Sequence, residues 1–227
     1  RRLGTNAIWW AAVTLLLLLF VGLFAVQVRK NPLRMDEVDY FMSMRNVVEL
    51  GLPLYYAGEV DPDFALLQPL GSRTLDGRTF DFYRFKPETG VMKETYFALV
   101  GGQSRYTFGM WHPPLYIYAG SLFFRLCPLT PGQSMALRYL NLPFSLGILV
   151  GMLALARRWY PEDARWIFVG AAALYVLNDF VVRGAVLIDY NAALAPLGVV
   201  WFVVAFLRSL ERRRFDAGLA AATALIF

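Results

Sequence analysis

Residues 8–28 form a run of 21 residues without a single charge. As an α-helix rising about 1.5 Å per residue, such a run crosses a hydrocarbon core about 30 Å thick. A cleaved signal peptide would show an apolar region of about 7–15 residues and a small-x-small cleavage site. The run has neither, so it reads as a true span, with Trp9 and Trp10 in the interfacial aromatic belt. Composition agrees: 58% of the chain is hydrophobic and 17% charged, against about 45–50% and about 25% in soluble domains. A disordered chain is excluded and a soluble enzyme disfavoured. The single cysteine, Cys127, excludes an internal disulfide and a cysteine-based zinc site, and the single histidine, His112, excludes a His-rich metal site.

Further spans are expected over residues 136–156, 166–182, 192–207 and from 217 onward. The run from 217 is cut short at Phe227, so the chain reads as the N-terminal part of a longer membrane module. The segment 113–129 is harder. Its apolar stretch is short, Pro113 and Pro114 open it, and Arg125 interrupts it, which suits an interfacial helix over about 113–126 rather than a crossing.

Arginine placement decides the sidedness. Lys- and Arg-rich short loops face the cytoplasm. With 113–129 not crossing, Arg1 and Arg2, the Arg157, Arg158 and Arg165 group, and the Arg208, Arg212, Arg213 and Arg214 group all fall on the cytoplasmic side. These segments hold nine arginines against four acids, which accounts for the whole net charge of +5, while residues 29–134 are neutral. The basic excess is therefore a topology signal rather than a nucleic-acid footprint. The expected fold is an all-α polytopic membrane protein with a large extracytoplasmic first loop over 29–134, and a loop of that size should be a folded layer that carries function.

The loop opens with a helix expected over 36–50, stopped by Gly51 and Pro53. Asp36 could serve as its N-cap, with Asp39 as a weak capping-box partner. Read functionally, the pair Asp36-Glu37 places acids just outside the bilayer, where a lipid-borne substrate presents its head group. The middle of the loop is polar and turn-rich. Asp76-Gly77 and Gly101-Gly102 read as turns and residues 79–85 alternate as in a strand. Asn178, Asp179, Arg183 and Asp189 cluster at the outer end of the third span.

The sequence Met35-Asp36-Glu37-Val38-Asp39-Tyr40 after an uncharged first span, Gly51-Leu52-Pro53-Leu54-Tyr55-Tyr56-Ala57-Gly58 following it, and Trp111-His112-Pro113-Pro114-Leu115-Tyr116-Ile117-Tyr118 at the loop's end resemble the GT-C glycosyltransferases. The groups it resembles are the protein O-mannosyltransferase-like and aminoarabinose transferase-like families. Arg138, residues 154–158 and Arg183 to Asp189 match the usual continuation. The resemblance implies transfer of a sugar from a polyprenyl-phosphate donor to a lipid, glycan or protein acceptor at the outer membrane face, usually with inversion. It makes Asp36 the catalytic base beside Glu37, puts His112 near the lipid phosphate and makes Asp189 the second-loop acid; by its chemistry Arg183, His112 or a bound metal could hold that phosphate by electrostatic stabilisation. Relatives differ on a divalent metal ion, which Asp36 and Asp189 would hold here, and there is no clear Asp-x-Asp at Asp189.

The rivals are a transporter or lipid flippase, which would carry ionisable groups or breaks near mid-membrane, and a non-catalytic membrane assembly factor. The absence of an Asn-x-Ser/Thr sequon is compatible with a bacterial plasma membrane.

Overall fold

The computed structural model describes residues 2–32, 34–89, 96–108, 114–129, 131–189, 194–213 and 217–224. Its helices are α1 (Arg2–Lys30), α2 (Met35–Leu50), α3 (Pro114–Leu126), α4 (Asn141–Trp159), α5 (Ala164–Leu177), α6 (Asp179–Ala185), α7 (Leu194–Arg212) and α8 (Ala217–Ala224). Its strands are β1 (Leu54–Glu59), β2 (Leu67–Leu75), β3 (Arg78–Phe85), β4 (Tyr96–Val100) and β5 (Ser104–Phe108). The chain divides into two compact units. One joins Arg1–Leu33 to Pro131–Phe227, and the other is Arg34–Thr130.

The first unit is helical. Among the described residues, three helices are long and apolar enough to cross a membrane: Asn6–Lys30, Gln133–Trp159 and Leu194–Arg212. α1 turns Phe20, Phe24 and Val28 inward against Val176, Val182 and Val186, and leaves Ile8, Leu15 and Leu18 exposed. α1 and α5 run parallel. Near their starts the Trp9 indole N–H donates to the Arg165 carbonyl at 3.1 Å and the Arg165 guanidinium lies over the Trp9 ring at 5.7 Å. Further along, the Phe20 and Tyr175 rings meet at 5.9 Å.

α4 and α7 also run parallel to each other, because two glycines on α4 admit α7 closely. A Cβ at Gly147 would lie 2.7 Å from Leu197, and one at Gly151 would lie 2.4 Å from Val200. Close approach across small residues is how helices pack where lipid removes the hydrophobic drive. The Trp201 indole donates to the Gly147 carbonyl at 3.1 Å, and Arg158 donates to the Leu207 carbonyl at 2.8 Å. The α4–α5 connection turns the chain back, so Arg158, Arg165 and Arg212 gather at one end of this unit and Arg138, Asp179 and Asp189 at the other.

The expected span 166–182 is not one straight helix. α5 and α6 meet at a 72° bend. Asn178 causes it: its side chain accepts from the Phe180 and Val181 N–H groups at 3.0 and 3.2 Å, starting a new helix rather than continuing the old one. The 14 residues of α5 rise only about 21 Å, short of a hydrocarbon core of about 30 Å.

The second unit overturns the expected all-α class. Among the described residues, five strands form one antiparallel sheet in the order β1-β5-β4-β3-β2, so the fold is mixed α/β rather than an all-α polytopic membrane fold. Asp76 and Gly77 close the β2–β3 hairpin with φ of 52° and 72°, the left-handed pair that matches the twist of the flanking strands. Gly101 and Gly102 do the same between β4 and β5. One face of the sheet packs Phe80, Ala98 and Tyr106 against Leu50 and Leu54, and Leu67, Phe97 and Leu99 form a smaller core. α2 ends at Gly51, whose φ of 78° lets its N–H reach back into the helix. α3 packs on α2 through edge-on ring pairs, Tyr40–Tyr116 at 5.2 Å and Phe41–Phe124 at 5.1 Å.

Candidate active site

The acid pair occupies the first turn of α2, where negative charge complements the helix dipole. The expectation that Asp36 is the N-cap, with Asp39 completing the box, does not hold. Arg34 is the N-cap residue, and its backbone N–H donates to the Glu37 carboxylate at 2.9 Å. Glu37 is accordingly 2% exposed. Asp36, one position earlier on the helix, is exposed. The sequence expects both as catalytic; the structure divides them, Glu37 holding the helix start and Asp36 facing outward. Asp36 lies six residues beyond the end of α1, so covalent reach alone keeps it within about 20 Å of Lys30.

The chain's exit from α1 is fixed by Arg138. Its fully buried guanidinium donates to the carbonyls of Val28 at 3.1 Å, Asn31 at 2.7 Å and Pro32 at 2.9 Å. A planar fork of donors suits the unsatisfied carbonyls at a helix C-terminus. Nearby, the buried side chain of Asn141 donates to the Leu187 carbonyl, tying down the segment that leads to Asp189. Sequence reasoning gave neither residue a mechanical role, though the signal was present: both are polar groups at the start of an otherwise apolar run.

At the same end of this unit, Tyr175, Phe180, Leu187, Asp189 and Pro196 line a cavity of about 390 Å³. Asp189 is half-buried there, and its N–H donates to Leu187. Among the described residues the lining is apolar apart from this carboxylate and Tyr175, so the cavity suits a largely apolar body. Arg183 is not turned toward Asp189: it pairs with Asp179 at 2.7 Å, one turn back on α6, with both side chains more than half exposed. Such an exposed pair is worth about 0.2–1 kcal/mol, little enough for an anion to compete for the arginine. Asp36 and Glu37 belong to one unit, Arg183 and Asp189 to the other. His112 lies outside the described residues.

The metal expected on Asp36 and Asp189 finds no support in the donor set. Among the described residues, no group of three or more His, Cys, Asp or Glu side chains is placed to hold an ion, and no step is routed through one below. No family model matches the chain, and neither a curated protein nor a solved structure matches it.

Proposed function

We propose that this protein is a membrane glycosyltransferase that moves a sugar from a polyprenyl-phosphate donor to an acceptor at the extracytoplasmic face, with Asp36 as the general base. The reading rests on the resemblance of the Asp36-Glu37, Gly51–Gly58 and Trp111–Tyr118 segments to the GT-C transferases. The observation that carries it is the division of labour at the start of α2: Glu37 satisfies the helix, and Asp36 keeps an exposed carboxylate within a short reach of a helix long enough to span a bilayer.

On this reading the arginine-rich end lies in the cytoplasm, by the positive-inside rule, and the chemistry proceeds on the opposite face of a bacterial plasma membrane. A glycosyl phosphate brings its own leaving group. The phosphate departs as an anion without protonation when cations hold it. The acceptor hydroxyl loses its proton to Asp36 as its oxygen bonds to the anomeric carbon and the bond from that carbon to the phosphate oxygen breaks.

General-base help is worth about 10²–10⁴-fold, so Asp36→Asn is expected to cut sugar transfer at least about 100-fold in the purified protein while leaving its thermal unfolding unchanged. Transfer at the wild-type rate by this variant removes Asp36 from the mechanism. A flippase would move the intact labelled donor across vesicles and release no sugar, and its activity would not respond to this substitution.

A further inference from the structure

The sheet of the 34–130 unit bears a cavity of about 320 Å³ that the proposed transfer step does not use. Leu52, Gly71, Arg73, Phe82, Tyr96 and Phe108 are among its lining residues. Strand alternation accounts for the aromatic floor. Phe82 pairs with Ala98 across β3–β4, and Tyr96 stands two residues before Ala98, so Phe82 and Tyr96 share one face. The Phe108 ring meets the Tyr96 ring edge-on with centroids 6.4 Å apart, and Tyr96 remains 48% exposed.

The edge strand β2 would close this floor, but its register slips between Pro69 and Gly71. Gly71 sits at φ 135°, and a Cβ there would meet nothing within 4 Å. The bulge and the missing side chain together leave the cavity open at the sheet edge. Arg73 completes the wall. Its guanidinium is anchored on the Leu50 carbonyl at the end of α2, which fixes a donor-rich planar group beside the rings.

The chemistry selects a ligand with an apolar face and a polar rim. Aromatic faces cover the C–H surface of a pyranose, while a tyrosine hydroxyl and a guanidinium meet its hydroxyl groups. An isoprenoid tail would strip water from Arg73 and return no acceptor. A lone phosphate would find a single cation already committed to a carbonyl. The volume lies at the small end of ligand pockets, about 300–1,000 Å³, which fits one or two rings. We propose that this cavity is a saccharide-binding site that holds a sugar unit of a glycan acceptor well away from the reacting hydroxyl, because α2 puts about 21 Å between Asp36 and Leu50. The acceptor assignment rests on the transferase reading; the saccharide binding does not.

Saturation-transfer NMR on the purified full chain in detergent, with the methyl glycosides of glucose, mannose and galactose and with farnesyl phosphate as the apolar anion, tests it. At least one glycoside is expected to receive saturation on its ring protons. Tyr96→Ala, a change at a half-exposed position, should weaken that binding at least about tenfold, as loss of a tyrosine anchor does. Tyr96→Phe should retain most of it. No glycoside binding, equal binding by Tyr96→Ala, or displacement of the glycoside by farnesyl phosphate overturns the proposal. Glycoside binding through Tyr96 in a protein that transfers no sugar would sink the transferase and keep the cavity. Sugar transfer with acceptor KM and glycoside binding untouched by Tyr96→Ala would do the reverse.

Discussion

Two neighbouring carboxylates, Asp36 and Glu37, should respond in opposite ways to substitution. Glu37 is buried and accepts the Arg34 N–H. Glu37→Ala removes a helix cap, which costs about 0.5–2 kcal/mol, and strands a part-buried donor, which costs at most about 1–3 kcal/mol. The two overlap, and about 2 kcal/mol is the net expectation. For a chain of this size a kilocalorie moves the midpoint by about 2–4 °C, so Glu37→Ala should melt about 4–8 °C lower. Glu37→Gln keeps the accepting oxygen and should recover most of that. Asp36→Asn changes an exposed group and should stay within about 0.5 kcal/mol of the parent. Thermal unfolding of the three variants followed by circular dichroism, each protein in the same detergent, reads the difference directly. An Asp36→Asn midpoint as low as that of Glu37→Ala would make Asp36 a structural acid and refute the division of roles.

Other parts of the structure make their own demands. Arg138→Met deletes three hydrogen bonds from a buried cation to backbone carbonyls while relieving the cost of burying the charge, and should lower stability by about 2–4 kcal/mol in chemical or thermal unfolding. Gly151→Ala drives a methyl into Val200 and should cost about 1–3 kcal/mol; a double-mutant cycle with Val200→Ala should recover it, and additive losses would mean that α7 does not press on this glycine. The Glu59 carboxylate, which accepts the Tyr56 hydroxyl at 2.8 Å, holds Tyr56 above the usual tyrosine value of 10.0. A raised value means that the contact supports the fold below the ordinary tyrosine range and is lost as pH rises through the shifted value. Ultraviolet difference titration of wild type against Tyr56→Phe should place this phenol late, and Glu59→Gln should bring it earlier.

The sequence carried the long elements and missed the sheet. An uncharged run such as 8–28 needs no tertiary context to be read, because its length and apolarity alone set it apart. The same holds for the helix stop at Gly51, where only a left-handed residue ends the turn cleanly. Strands β1, β2, β4 and β5 were not legible because strand preference depends on neighbours: β4, Tyr96–Val100, is too short to show a period. The Asp76-Gly77 turn is legible in the sequence, and that pair at φ above zero implies a hairpin on both sides. At the candidate site, the capping role went to Glu37 rather than Asp36 because the helix starts one residue earlier than expected, at Met35. The bend at Asn178 was hidden because an asparagine near the end of an apolar run reads equally as a cap or as a snorkelling end.

Incubation of the protein with a polyprenyl-phosphate donor labelled in its sugar, followed by separation of lipid from product, decides whether Asp36 is the base of a sugar transfer. Wild type and Glu37→Gln should release polyprenyl phosphate and pass the label to the acceptor at similar rates, and Asp36→Asn should do so at least about 100-fold more slowly. Label that stays on the lipid with wild type, or passes from it equally fast with Asp36→Asn, would contradict the assignment.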